Sequence, residues 1–258
     1  MSVKQNFLET VVASVRRDIR EGVYSVTEPL NRDRRSLRGR LTGGVRVIAE
    51  IKPVSPSTGS AVVSPSASTA RAFQDSGACG ISVLAERSYF GGSPALVKNV
   101  AAAVSLPVLF KDFVVSAEQI ECAKRCGADL VLLIAEMFAL GLADESADSM
   151  VGRAHDLGLE VLFETHSERY VECINRSKAE YLGINNRSLL TLELKRGHFK
   201  EIVRRIEKTK PVVAESGYSL REEIVSDMAY GADAFLVGSA FMKATRPEEK
   251  LREMIGSD

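Results

Sequence analysis

In the string AEIK, Glu50 and Lys52 stand two residues apart, which puts a carboxylate and an ammonium group on one face of an extended segment while Ala49 and Ile51 face the other way. Other short apolar runs end in the same kind of group: Lys111 in LFKDF, Glu164 in LFET, Asn185 and Arg187 in GINNR, and Glu215 in VAES. Lysines and carboxylates are the side chains of general acid–base chemistry, and a planar arginine suits a substrate carboxylate. If the runs are strands of one parallel barrel, these residues gather at its carboxyl end. Burying so many charges there is costly unless they pair or bind substrate, so the set points to a site rather than to structure. Two lysines facing one cavity are expected to lower each other's pKa through repulsion and burial.

Small residues follow two of these runs and suit an anion, because they let backbone N–H groups and hydroxyls come close. They are Ser216-Gly217 and Gly238-Ser239, and Ser55 in SPSTG offers a further hydroxyl. Phe90, in the YFGG segment, is placed to cover an aromatic ring or to anchor its own loop. Of the three histidines, His155, His166 and His198, only His166 falls near this set, two residues past Glu164. Lone histidines are more often packing or surface residues.

The elements that must position these groups are legible as repeats. From Val45 onward, eight β-branched apolar runs begin at residues 45, 79, 107, 128, 159, 180, 211 and 232, alternating with amphipathic helical stretches. Eight such units close a barrel, so the expected class is α/β, a (β/α)8 TIM barrel with an N-terminal helical extension. Helices are expected over Ser116–Cys126 and Ser219–Tyr230, each stopped by a glycine in the repeated tripeptide GAD, a structural turn at the far end of the barrel. Ahead of the first strand, Phe7, Leu8, Val11, Val12, Val15 and Ile19 recur at helical spacing within residues 5–22, and residues 25–44 read as a loop. One barrel domain is expected over residues 1–258, with residues 1–44 as the extension and its loop.

Composition narrows the function. Lys plus Arg and Asp plus Glu balance at 34 each, so no uniform field draws the chain to nucleic acid or to an anionic membrane. Met1–Tyr24 has neither the apolar core nor the cleavage pattern of a secretion signal, and no run is long enough to span a bilayer. Cys79, Cys122, Cys126 and Cys173 suit reduced thiols. Cys122 and Cys126, one helical turn apart, read as buried thiols rather than metal ligands. A cytoplasmic enzyme acting on a small molecule is expected.

The strings EIKPVSPSTG, LFKDF, LFETH, GINNRSL, VAESG and LVGSAFM, in this order, resemble those of the indole-3-glycerol phosphate synthases, from Val45 to the C-terminus. The resemblance implies the substrate 1-(2-carboxyphenylamino)-1-deoxyribulose 5-phosphate, ring closure with loss of carbon dioxide and water, and no metal or organic cofactor. It makes Lys111 the general acid, Glu164 the base of the dehydration, and Lys52 with Arg187 the holders of the substrate carboxylate. Glu50, Asn185 and Glu215 orient hydroxyls and lysines. Ser55, Ser216, Gly217, Gly238 and Ser239 take the phosphate, and Phe90 takes the ring. A monomer or weak homodimer is implied, with room for a partner from the same pathway. Three positions depart from the common pattern: Pro53 where a cation often follows EIK, Ala85 for a threonine, and Ser188 for an aspartate. Two other readings compete, a phosphoribosylanthranilate isomerase and a silent barrel that binds a sugar phosphate. The two lysines and the N-terminal helix oppose the first, and intact Lys52, Lys111 and Glu164 oppose the second.

Overall fold

β-Branched runs alternating with amphipathic segments give parallel strands covered by helices, and here they close on themselves. The computed structural model describes residues 6–56 and 59–256. Its barrel strands are β1 (Val47–Ile51), β2 (Gly80–Leu84), β3 (Val108–Lys111), β4 (Leu130–Ile134), β5 (Glu160–Thr165), β6 (Tyr181–Asn185), β7 (Val212–Glu215) and β8 (Ala234–Val237). Each pairs in parallel with its neighbours in sequence, and β1 closes the ring against β8 through Val47–Phe235, Ile48–Leu236 and Ala49–Val237. All eight expected runs are strands. Their inner ends are packed with Val, Ile, Leu and Phe, and the strands are buried along nearly their whole length.

The expected N-terminal helix is present as α1 (Phe7–Arg20), capped by the Asn6 side chain, which accepts the Leu8 N–H at 3.0 Å. Gln5, included in the expected span, lies outside the described residues. Leu8, Val11, Val12 and Val15 bury the apolar stripe against the barrel. The loop that follows contains one short 3-10 turn, Arg38–Arg40. It runs from Tyr24, near the carboxyl ends of the strands, to Arg32 and Arg34 at their amino ends.

The helix expected before the first GAD is Ala117–Arg125, with Ser116 as its cap, and the one before the second is Arg221–Ala229. Gly127 and Gly231 take left-handed φ of 78° and 112°, as a helix-ending glycine does. The aspartates explain why the tripeptide repeats. Asp129 accepts the Val108 N–H at 2.9 Å and Asp233 accepts the Val212 N–H at 2.8 Å, so each ties its strand to the neighbour. Asp129 also pairs with buried Arg32 and accepts the Arg35 N–H, which locks the extension under the barrel.

Replacing Asp129 takes the carboxylate from a largely buried guanidinium, which keeps only the Ala101 and Leu106 carbonyls, and removes the side-chain acceptor of two N–H groups. Asp129→Ala is expected to lower the unfolding free energy by about 3–5 kcal/mol. Urea unfolding checks this, with kcat nearly unchanged because Asp129 sits at the end of the barrel away from the charged residues.

Candidate active site

Alternation carries the inward positions of β1, β3, β5 and β7 to one level at the carboxyl end, and that level is charged. Lys111 Nζ lies 3.3 Å from Glu164 Oε2 and 3.1 Å from Glu215 Oε2. Just past β1, Lys52 Nζ lies 2.7 Å from Glu50 Oε1. Asn185, the last residue of β6, donates its amide to Glu164 at 3.4 Å and accepts the Arg187 N–H at 2.9 Å. These groups line one cavity of about 330 Å³ together with Ser55, Phe90, Ser216, Gly217, Gly238 and Ser239. Every site residue expected from sequence therefore falls on one cavity.

The electrostatics correct one expectation. Lys111 is not pushed towards acidity by Lys52: burial opposes its charge, but Glu164, Glu215 and Glu50 outweigh burial and hold its pKa above the usual lysine value. Glu215 moves well above the carboxylate range, first through burial and then through the neighbouring Glu164, against the pull of Lys111. Among the described residues no hydrogen-bond partner reaches Glu215 Oε1, so that oxygen is buried unpaired. Glu50 goes the other way: burial would raise it, yet Lys52, Lys111 and Arg187 hold it below the usual value.

Two glycines make room for this layer. A Cβ on Gly183 of β6 would stand 2.6 Å from Glu215 Oε1 and 2.7 Å from Glu164 Cβ. A Cβ on Gly238 would stand 2.4 Å from Glu50 Oε1, so this residue gives space to a carboxylate as well as to any anion. After Glu215 the backbone turns left-handed at both Ser216 and Gly217, with φ of 66° and 89°. Asn186 braces that turn, its amide donating to the Ser216 carbonyl at 3.1 Å and to the Tyr218 hydroxyl at 3.2 Å.

An apolar wall faces the charges. Phe90 and Phe113 lie 5.9 Å apart at 35°, and Leu132, Ile134, Leu189 and Leu236 also line the cavity. Sequence reasoning missed Phe113, Gly183 and Asn186, although all three lie inside or beside the strings quoted for the site. His166 does not line the cavity; it stacks on His198 at 4.4 Å, and its Nδ1 meets the Asn185 carbonyl at 2.9 Å. Cys122 and Cys126 are buried thiols with sulfurs 3.9 Å apart, and neither lines the cavity.

A family model described as indole-3-glycerol phosphate synthase matches residues 4–254. The chain belongs to the indole-3-glycerol phosphate synthase family. A family member from Methanopyrus kandleri is 40% identical over 227 residues, covering 86% of this chain and 87% of its own length. One from Paenarthrobacter aurescens is 39% identical, covering 95% and 94%. Among solved structures, thiamine phosphate pyrophosphorylase from Pyrococcus furiosus superposes with a TM-score of 0.62 at 17% identity, covering 85% of this chain and 96% of its own. A mutant tryptophan synthase alpha-subunit from the same organism gives 0.58 at 17%, covering 83% and 98%. At such identity these two speak for the fold alone.

As an indole-3-glycerol phosphate synthase, a carboxy-lyase of tryptophan biosynthesis, the chain tolerates its three departures locally. Pro53 packs its ring against Gly91 and does not line the cavity. Ala85 is fully buried, its N–H donating to the Lys111 carbonyl at 2.9 Å. Ser188 accepts the N–H groups of Leu190 and Thr191 and so keeps the loop after β6 turned. Because Gly183 has no room for a methyl group, Gly183→Ala is expected to displace both carboxylates and lower kcat by about 100-fold. Steady-state kinetics beside a thermal melt separates this loss from unfolding.

Proposed function

We propose that Lys111, Glu164 and Lys52 divide the chemistry of ring closure on 1-(2-carboxyphenylamino)-1-deoxyribulose 5-phosphate at this cavity. The observation that carries the assignment is Lys111 held between two buried carboxylates, opposite an apolar wall. The anthranilate ring lies against Phe90 and Phe113. Its carboxylate meets Lys52 and Arg187, and the phosphate takes Ser55, Ser216, Gly217, Gly238 and Ser239. Substrate length then sets the ketone between the two ends, within reach of Lys111.

The ring carbon bearing the carboxylate attacks the ketone carbon, and the carbonyl oxygen takes a proton from the Lys111 ammonium. An ammonium kept charged by its neighbours is always loaded for this step. The bond to the carboxylate then breaks, carbon dioxide leaves, and its electron pair restores the aromatic ring. Lys52, freed of that carboxylate, protonates the departing hydroxyl, while Glu164 takes a proton from the adjacent methylene carbon to complete the indole. Glu50, Asn185 and Glu215 hold these groups in place through the contacts above.

No helix among the described residues is long and apolar enough to cross a membrane. Balanced charge and buried Cys79, Cys122 and Cys126 support a cytoplasmic enzyme of one barrel domain, acting as a monomer or weak homodimer.

The chain has no tryptophan, so indole emission from product appears without a tryptophan background from the protein. Mixing protein and substrate in a chelating buffer is expected to give rising indole fluorescence. Lys111→Ala is expected to cut kcat by about 1,000-fold or more while calorimetry still detects substrate binding. Substantial residual turnover would move the first proton transfer to Lys52.

A further inference from the structure

Asp112 follows Lys111 and lines the same cavity, yet both its oxygens are engaged elsewhere. Oδ1 accepts the Phe113 N–H at 2.8 Å, and Oδ2 accepts the hydroxyl of Tyr24 at 2.8 Å. Tyr24 is buried in the loop after α1, so the N-terminal extension holds the residue next to the acid. The extension reaches the aromatic wall a second time through Phe7, which meets Phe113 edge-on at 6.4 Å and Tyr89 at 5.4 Å. Glu86 completes the arrangement: its carboxylate accepts the N–H groups of Ser88, Tyr89 and Phe90, each at 2.8 Å, and so fixes the loop that presents Phe90.

We propose that Tyr24 and Asp112 are positioning residues, a clamp by which the N-terminal extension sets Phe113 against Phe90 and so shapes the subsite for the aromatic ring. The proposal rests on the reading that the anthranilate ring lies on these two side chains.

The clamp has a charge dependence. Burial, with the like charge of Glu86, pushes the Asp112 carboxyl up to about 7, and the bonds from Tyr24 and Phe113 restrain the rise. Facing the Tyr24–Asp112 pair are Asp18 from α1 beside Tyr24, Glu86 from the loop after β2, and Cys122 from the helix Ala117–Arg125 beside Asp112. Adjacent Lys111 is taken by Glu164 and Glu215, and Arg87 is 3.9 Å from Asp18. As a carboxylate, Asp112 receives two charge-assisted bonds; once protonated, it keeps only weaker neutral ones. The charge-assisted bonds recover only part of the cost of burying the charge, so the closed clamp favours the protonated carboxyl: the wall is firm below about pH 7 and loosens above it.

The test compares KM and kcat of the wild type, Tyr24→Phe and Asp112→Asn between roughly pH 5.5 and 9, with thermal melts for each. Tyr24→Phe removes a donor to the carboxylate, so its KM is expected to rise about fivefold at pH 8, more than kcat changes, and the inflection in KM to move up by about one pH unit. Asp112→Asn is expected to raise KM throughout and to erase that inflection. A Tyr24→Phe profile that overlays the wild type overturns the clamp. Absent turnover in the wild type would instead strike the activity reading. Should the variants not fold, carboxyl ¹³C titration of Asp112 in the wild type takes their place, with anthranilate as the probe. Anthranilate is expected to raise the Asp112 inflection, and an unmoved inflection under saturating anthranilate overturns the proposal.

Discussion

Everything at the active end of this barrel depends on keeping Lys111 charged in a place that disfavours charge. An ammonium group taken out of water is costly, and two carboxylates from other strands offset that cost at 3.3 and 3.1 Å. The participants come from alternate strands: Glu50 from β1, Lys111 from β3, Glu164 from β5 and Glu215 from β7. Alternate strands of an eight-stranded barrel supply one layer of four side chains. One layer down, the same four strands carry buried Ile48, Leu109, Leu162 and Val213; here the layer is one lysine and three glutamates.

A charged layer of that composition needs space as well as partners, and the even strands provide it. Gly183 in β6 lies between Glu164 and Glu215, and Gly238 follows β8 beside Glu50. In both places a methyl group would occupy the position of a carboxylate. The constraint explains a glycine in mid-strand, where propensity alone would disfavour one. It also links the two ends of the substrate site, since Gly238 opens room for Glu50 and then turns the chain into the segment proposed for phosphate.

The strands and most of the site were legible because a period of two is a local property and the charged residues close the apolar runs. Glu50, Lys111, Glu164, Asn185 and Glu215 all follow from that pattern. Phe113 did not, because β3 ends at Lys111 and alternation says nothing about a side chain beyond the strand. Gly183 reads as an ordinary weak point in EYLGIN until its neighbours across the sheet are known. The direction of the Lys111 shift was misjudged for a related reason: the carboxylates that decide it lie 53 and 104 residues away in sequence. Counting two lysines at one mouth finds the repulsion and misses the stronger attraction.

The N-terminal extension shows how one segment serves both ends of the barrel by different means. At the amino ends of the strands, Arg32, Arg34 and the Leu37 N–H meet Asp129 and Glu160, where fixed ion pairs hold the fold together. At the carboxyl ends, Tyr24 and Phe7 touch Asp112 and Phe113, where a small displacement changes the shape of a binding wall. Conservation at the first face of such a barrel is a matter of stability, and at the second a matter of chemistry. A chain that must cross from one face to the other has to run along the outside of the barrel, and its length is set by the strands it spans. That is why the long connection over residues 21–46, between α1 and β1, is needed to join two short sets of contacts.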